Sequence, residues 1–187
     1  MTLTPKHSGW IEVITGSMFS GKTEELIRRI RKAEIAKMNT CLFKPFIDSR
    51  YSSKHVVSHN QSKLESIMVK TPNEIIKHSN KMDVIGIDEA QFFNKKIIDV
   101  CKNLANRKIR VIVAGLDTDY KGLPFGCMPE LMCEADYLDK LRAICVICGN
   151  PASYSQRTTS DSEQVLIGET DIYEARCRNC FEPPMDN

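Results

Sequence analysis

The sequence predicts an α/β fold: a mainly parallel sheet with helices on both faces, followed by a small C-terminal metal-binding unit. Three observations carry that expectation. Short apolar runs, WIEVIT (10–15), TCLFKP (40–45), MDVIGID (82–88) and RVIVAGL (110–116), alternate with stretches of helical period, which requires crossover connections and favours parallel pairing. The first run empties into a glycine-bearing loop, GSMFSGKT (16–23), that opens a helix. From about Arg142 the alternation stops and paired cysteines appear.

Each element follows from local pattern. In TEELIRRIRKAEIAK (23–37), Leu26, Ile30 and Ala33 share one helical face, with Arg28, Arg29, Arg31 and Lys32 largely elsewhere. Pro45 stops the second strand, and Asp88 ends the third. FFNKKIIDVCKNLAN (92–106) is the next helix, leading into the fourth strand. Ligands of such sheets sit beyond the carboxyl ends of the strands. There lie residues 16–23 after the first strand, Asp48 and Arg50 after the second, Asp88 and Glu89 at the third, and Asp117 and Tyr120 after the fourth. The expected organisation is a tail (1–9), a nucleotide-binding unit (10–141), a zinc-binding unit with a covering loop (142–181) and a second tail (182–187).

Totals bound what the chain does. Its 187 residues suffice for one full core and a small appendage. With 26 Lys and Arg against 24 Asp and Glu, the net charge of +2 provides no global field for nucleic acid or an anionic membrane, so neither partner is expected. No apolar run approaches the roughly 20 residues that cross a bilayer, and MTLTPKHSG lacks the apolar stretch of a secretory signal. A cytoplasmic location is the expectation. There most of the eight cysteines would stay reduced, leaving metal binding to those that cluster.

GSMFSGKT fits GxxxxGK[ST], making the expected fold P-loop NTPase-like: Gly16 and Gly21 let backbone N–H groups surround phosphate oxygens, Lys22 reaches the terminal phosphates, and the Thr23 hydroxyl ligates Mg²⁺. The bland alternative is a glycine turn with a solvated lysine. After the third strand, Asp88 suits the metal side and Glu89 is the candidate base for an incoming hydroxyl. Strand alternation would point the two acids to different faces; otherwise they cap the helix beginning near Phe92. Cys145 and Cys148, with Cys177 and Cys180, form two CxxC pairs suited to a closed, structural tetrahedral Zn²⁺ site. Cys41, Cys101, Cys127 and Cys133 lack such pairing and read as core or surface thiols. The spacer between the pairs, rich in small polar residues and carrying Tyr154, Ile167 and Tyr173, reads as a lasso-like lid anchored at both feet.

Together GSMFSGKTEELIRR, IDSRY, SHN, IDEAQFF, GLDTDYKGLPFG, the CxxC pairs and IGETDIY resemble the thymidine kinases of the compact, zinc-containing cytosolic type, from about Ile11 to Cys180. Ala90 stands where some members have glycine, and Tyr120 where some have phenylalanine. The resemblance implies transfer of the γ-phosphoryl of ATP to the 5′-hydroxyl of thymidine or deoxyuridine with Mg²⁺. It implies ATP contacts along Gly16, Ser17, Met18, Phe19, Ser20, Gly21, Lys22 and Thr23 and at Asp88, Glu89, Ala90 and Gln91, with Phe19 packing beneath the loop. Under that resemblance Thr23 and Asp48 would lie near Mg²⁺, Arg50 would steady the transferring charge and Glu89 would take the proton. From spacing alone, Asp48 and Arg50 read equally as a turn ion pair. Met18, Phe92, Leu116, Tyr120 and Phe125 would wall the base, Ser155, Ile167 and Gly168 would grip it through main-chain groups, and Tyr173 would lie near the sugar. A homotetramer inhibited by dTTP is also implied. Two other readings, an ATP-driven regulator of nucleic-acid binding and a switch without chemistry, are opposed by the weak charge and by Glu89 respectively.

Overall fold

The computed structural model describes residues 8–46, 55–57, 63–159 and 172–183. Its centre is a six-stranded sheet: β1 (Trp10–Thr15), β2 (Thr40–Pro45), β5 (Ile67–Val69), β6 (Val84–Ile87), β7 (Arg110–Gly115) and β8 (Tyr137–Lys140). The spatial order is β5-β2-β6-β7-β1-β8, and every neighbouring pair is parallel. A small antiparallel pair, β3 (His55–Val57) with β4 (Lys63–Glu65), lies between β2 and β5 in sequence.

Alternation along the strands separates two cores. Ile11 and Val13 of β1 and Val111 and Val113 of β7 face one side, where α2 (Pro72–His78), α3 (Lys96–Asn106) and α4 (Met128–Glu134) pack. Ile14, Ile112 and Ala114 face the other, covered by Leu26, Ile27, Ile30 and Ala33 of α1 (Lys22–Ile35). Helices thus lie on both faces as the sequence predicts. Burying each large aliphatic side chain contributes roughly 1.5–3 kcal/mol, so the apolar stripe accounts for α1 docking far better than its helix propensity does.

Two elements differ from expectation. The helix foreseen from residue 92 begins at Lys96, preceded by a 3₁₀ turn at Ala90–Phe92. Phe93 is extended at ψ 153, which buries its ring in the core and breaks the helix. Asn94 Oδ1 then accepts the Lys96 N–H at 3.1 Å, starting the helix afresh. The sheet also has six strands where the sequence showed four. β5 (IMV) is apolar but only three residues long, too short a run to read as a strand, and β8 (YLDK) is largely exposed and lacks an apolar run.

After β8 come four short strands, β9 (Ala143–Ile144), β10 (Pro151–Ala152), β11 (Tyr154–Arg157) and β12 (Tyr173–Arg176), forming two antiparallel pairs. They enclose a third, small core of Ala143, Cys145, Ala152, Ala175 and Cys177. The pairing of β11 with β12 joins the two feet of the spacer between the cysteine pairs. Asp48, Arg50, Ile167 and Gly168 lie outside the described residues.

Candidate active site

Because β1, β2, β6 and β7 are parallel neighbours, their carboxyl ends open on one edge of the sheet. Gly16 leaves β1 at φ 139, and a Cβ there would lie 2.3 Å from the Leu141 carbonyl oxygen, so only glycine lets the loop turn here. Lys22 Nζ donates to the Ser17 carbonyl at 2.8 Å, so the ammonium reaches back over the loop instead of into solvent. Burial lowers its pKa, opposed by the charges of Glu89, Asp88 and Asp117. Ser20 Oγ is buried and finds no hydrogen-bond partner among the described residues. An orphaned hydroxyl, a lysine and the start of α1 together fit an anionic phosphate group.

The Thr23 hydroxyl donates to Asp88 Oδ2 at 3.3 Å, joining the loop to the end of β6. Two hard oxygen donors at that separation match the edge of an octahedral Mg²⁺ shell, roughly 3 Å. Burial pushes the Asp88 pKa up to about 7, with a further contribution from the adjacent Glu89 charge. Glu89 itself sits in the left-handed region at φ 53, ψ 41, just past the strand, so a backbone turn rather than strand alternation sets its direction. Its N–H donates to Asp88 Oδ1 at 3.0 Å, and its carboxylate accepts from Gln91 Nε2 at 2.5 Å. Glu89 makes no side-chain cap to the 3₁₀ turn. Gln91 Oε1 also accepts the Leu116 N–H at 3.0 Å, so one buried amide ties the end of β6 to the exit of β7.

Beyond β7 the chain makes a tight loop. Asp119 Oδ1 accepts from Lys121 N at 2.9 Å and Leu123 N at 3.1 Å, which carries Tyr120 and Phe125 back over the sheet edge. Phe125 meets Phe92 edge-on, with centroids 5.6 Å apart. The Arg157 guanidinium lies 3.6 Å from the Tyr120 ring centre, and its Nη2 donates to the Tyr173 hydroxyl at 2.6 Å. Met18 N–H donates to Ser155 Oγ at 3.0 Å. The expected base-site residues therefore gather as Met18 with Ser155, Phe92 with Phe125, and Tyr120 with Tyr173 through Arg157.

The four sulfurs of Cys145, Cys148, Cys177 and Cys180 lie within 4.8 Å of one another. Tetrahedral Zn²⁺ with Zn–S of about 2.3 Å needs sulfurs roughly 3.8 Å apart, so the cluster fits with small adjustment. Turns hold the thiols: Gly149 N–H donates to the Cys145 carbonyl at 2.9 Å and Cys180 N–H to that of Cys177 at 3.1 Å. As expected, the other cysteines stand apart: Cys101 and Cys127 are buried, Cys41 half-buried and Cys133 exposed.

A family model described as thymidine kinase matches residues 9–181, nearly the whole chain. The chain belongs to the thymidine kinase family. A protein of Rhodothermus sp. (strain ITI 518) named "Thymidine kinase" is 54% identical over 176 residues, 94% of this chain and 83% of its own length. Namesakes in Bacteroides fragilis and Bacteroides thetaiotaomicron are 52% and 53% identical, over 95% and 94% of this chain and 89% and 88% of theirs. Membership makes the protein a thymidine kinase, with ATP and a nucleoside as its ligands.

Sequence reasoning missed Arg157 and underused Asp117. Arg157 is one basic residue in a polar spacer, and only the pairing Arg157↔Tyr173 across β11 and β12 reveals it. Asp117 is buried, 2.5 Å from Lys140 Nζ, and its place after a strand was the available signal.

Proposed function

We propose that this chain transfers the γ-phosphoryl group of ATP to the 5′-hydroxyl of thymidine, and of deoxyuridine, yielding the monophosphate. The observation that carries the reading is the Thr23–Asp88 hydrogen bond, because it brings a phosphate-loop hydroxyl and a strand-end carboxylate to one point with Lys22 and Glu89 beside them. Lys22, Ser20 and the backbone of residues 16–23 hold the phosphates. Thr23 and Asp88 offer oxygen ligands to Mg²⁺, which when bound neutralises charge building on the phosphate oxygens. Asp48 supplies another ligand and Arg50 steadies the transferred group, both assignments resting on family resemblance. Glu89, oriented by Gln91, accepts the proton of the attacking hydroxyl. Met18, Phe92, Leu116, Tyr120 and Phe125 wall the base, with Tyr173 at the sugar; the grip of Ser155, Ile167 and Gly168 on the base through main-chain groups is assigned by family resemblance. Covering the acceptor keeps water from competing for the phosphoryl group.

Resemblance also supports a cytoplasmic homotetramer inhibited by dTTP, and a division into a nucleotide-binding unit (10–141) and a zinc-binding unit (142–181). The decisive assay incubates the protein with ATP, Mg²⁺ and labelled nucleosides. Labelled thymidine monophosphate is the expected product. Failure to phosphorylate thymidine, with the Lys22→Ala variant no different from wild type, would refute the assignment.

A further inference from the structure

The phosphate loop is bound to the cysteine-bearing unit at three consecutive residues. Ser17 Oγ donates to the Ala152 carbonyl at 3.4 Å, and Met18 N–H donates to Ser155 Oγ at 3.0 Å. Phe19 packs on the small core of Ala143, Cys145, Ala152, Ala175 and Cys177, alongside Cys180. Phe19 does so at φ 63, a backbone conformation that disfavours a bulky side chain and persists only where its surroundings impose it. Three of the four sulfur-bearing residues thus lie in the patch that fixes the loop. We propose that Phe19 is a positioning residue that couples the phosphate loop to the four-cysteine centre, so that ATP binding and zinc retention reinforce one another. This rests on the reading above that residues 16–23 hold ATP and the four thiols hold zinc.

The physical route is short. Closing the four thiolates around zinc fixes β9 and the turn after β12, and with them the surface on which the Phe19 ring rests. The ring in turn fixes the left-handed turn that presents Ser20, Gly21 and Lys22 to phosphate. Coupling of this kind is reciprocal: whatever factor zinc contributes to ATP affinity, ATP must contribute to zinc affinity.

The test uses the zinc-loaded full chain. Zinc loss to a chromogenic chelator is followed in excess Mg²⁺, with and without saturating ATP, and ATP affinity is measured by calorimetry. In wild type, ATP should slow zinc loss about fivefold or more. Phe19→Asn accepts the left-handed backbone more easily but removes the ring, so a purely backbone role would survive it. Expected instead are full initial zinc, ATP affinity about fivefold weaker, and a zinc-loss ratio near one. Phe19→Leu, which keeps apolar contact, should retain most of the coupling, and Lys22→Ala should abolish the nucleotide effect, excluding ATP as a competing chelator. Wild type that holds both ligands yet loses zinc equally fast with and without ATP overturns the coupling alone, as does Phe19→Asn with the wild-type ratio or Phe19→Leu with none. Wild type lacking zinc or ATP binding sinks the underlying reading as well.

Discussion

Glu89 and Asp88 are adjacent carboxylates in different surroundings, which is what suits them to the different tasks proposed for them. Glu89 is aimed by a left-handed turn and an amide partner, so Glu89→Gln, which keeps an acceptor for Gln91, should lower kcat about a hundredfold or more while barely altering ATP affinity by calorimetry. Retained turnover would remove the general-base role. Asp88 is a matter of charge burial. Its ordinary pKa of 3.8 rises to about 7 in the fold, so between those values the native state keeps a proton that the unfolded chain has released. Its contribution to stability is therefore most favourable below about pH 4 and declines until about pH 7. Asp88→Asn should raise the melting temperature of the ligand-free protein at about pH 8 and leave it nearly unchanged near pH 4; equal shifts at both would contradict the assignment. Gly126 serves the same site from behind. At φ 54, with a Cβ that would fall 2.2 Å from the Gln91 carbonyl oxygen, Gly126→Ala should cost at least about 2 kcal/mol in urea unfolding and displace the amide that orients Glu89.

Helix α1 carries the phosphate loop, so its seating sets the position of Lys22 and Thr23. Besides its apolar stripe, it is held by Arg29, which reaches Glu12 on β1 at 2.7 Å and Asp139 on β8 at 2.6 Å. Glu12 also accepts from Arg110 Nε on β7 at 2.6 Å. Burial works to raise the Glu12 pKa, but hydrogen bonds from Arg110, Trp10 and Arg29 prevail and hold it below the usual carboxylate range. A buried pair broken from one side leaves unpaired charge behind, so Glu12→Ala should destabilise by about 3 kcal/mol in urea titration. A cost under about 1 kcal/mol would mean the network behaves like exposed ion pairs. None of these partners could be read from the chain, since residues 12, 29, 110 and 139 meet only because β7 and β8 flank β1.

At the scale of the molecule, the small core around the cysteines is separate from the two cores that sandwich the sheet. Among the described residues it contains alanines and thiols but no large aliphatic side chain, so area burial contributes little there and a bound metal would supply much of its stability. Purified protein should contain one zinc per chain by elemental analysis. Cys148→Ser should lose that zinc and deprotect residues 143–157 to hydrogen exchange, while β1, β6 and β7 stay protected. Protection unchanged in residues 143–157 without zinc would show that this unit needs no metal.

What the sequence determined by itself is whatever depends on short spacing. The glycine loop, the strand-end carboxylates, the helical stripe of α1 and the CxxC pairs each sit within a few residues of chain, where periodicity and covalent geometry fix the outcome. The tertiary structure alone decided which distant residues meet: Gln91 with Leu116, Arg157 with Tyr120 and Tyr173, and Phe19 with the cysteine core. It also decided where α3 begins, because burying Phe93 outweighed helix propensity. Local preferences amount to tenths of a kcal/mol per residue, whereas seating one aromatic ring is worth several times that.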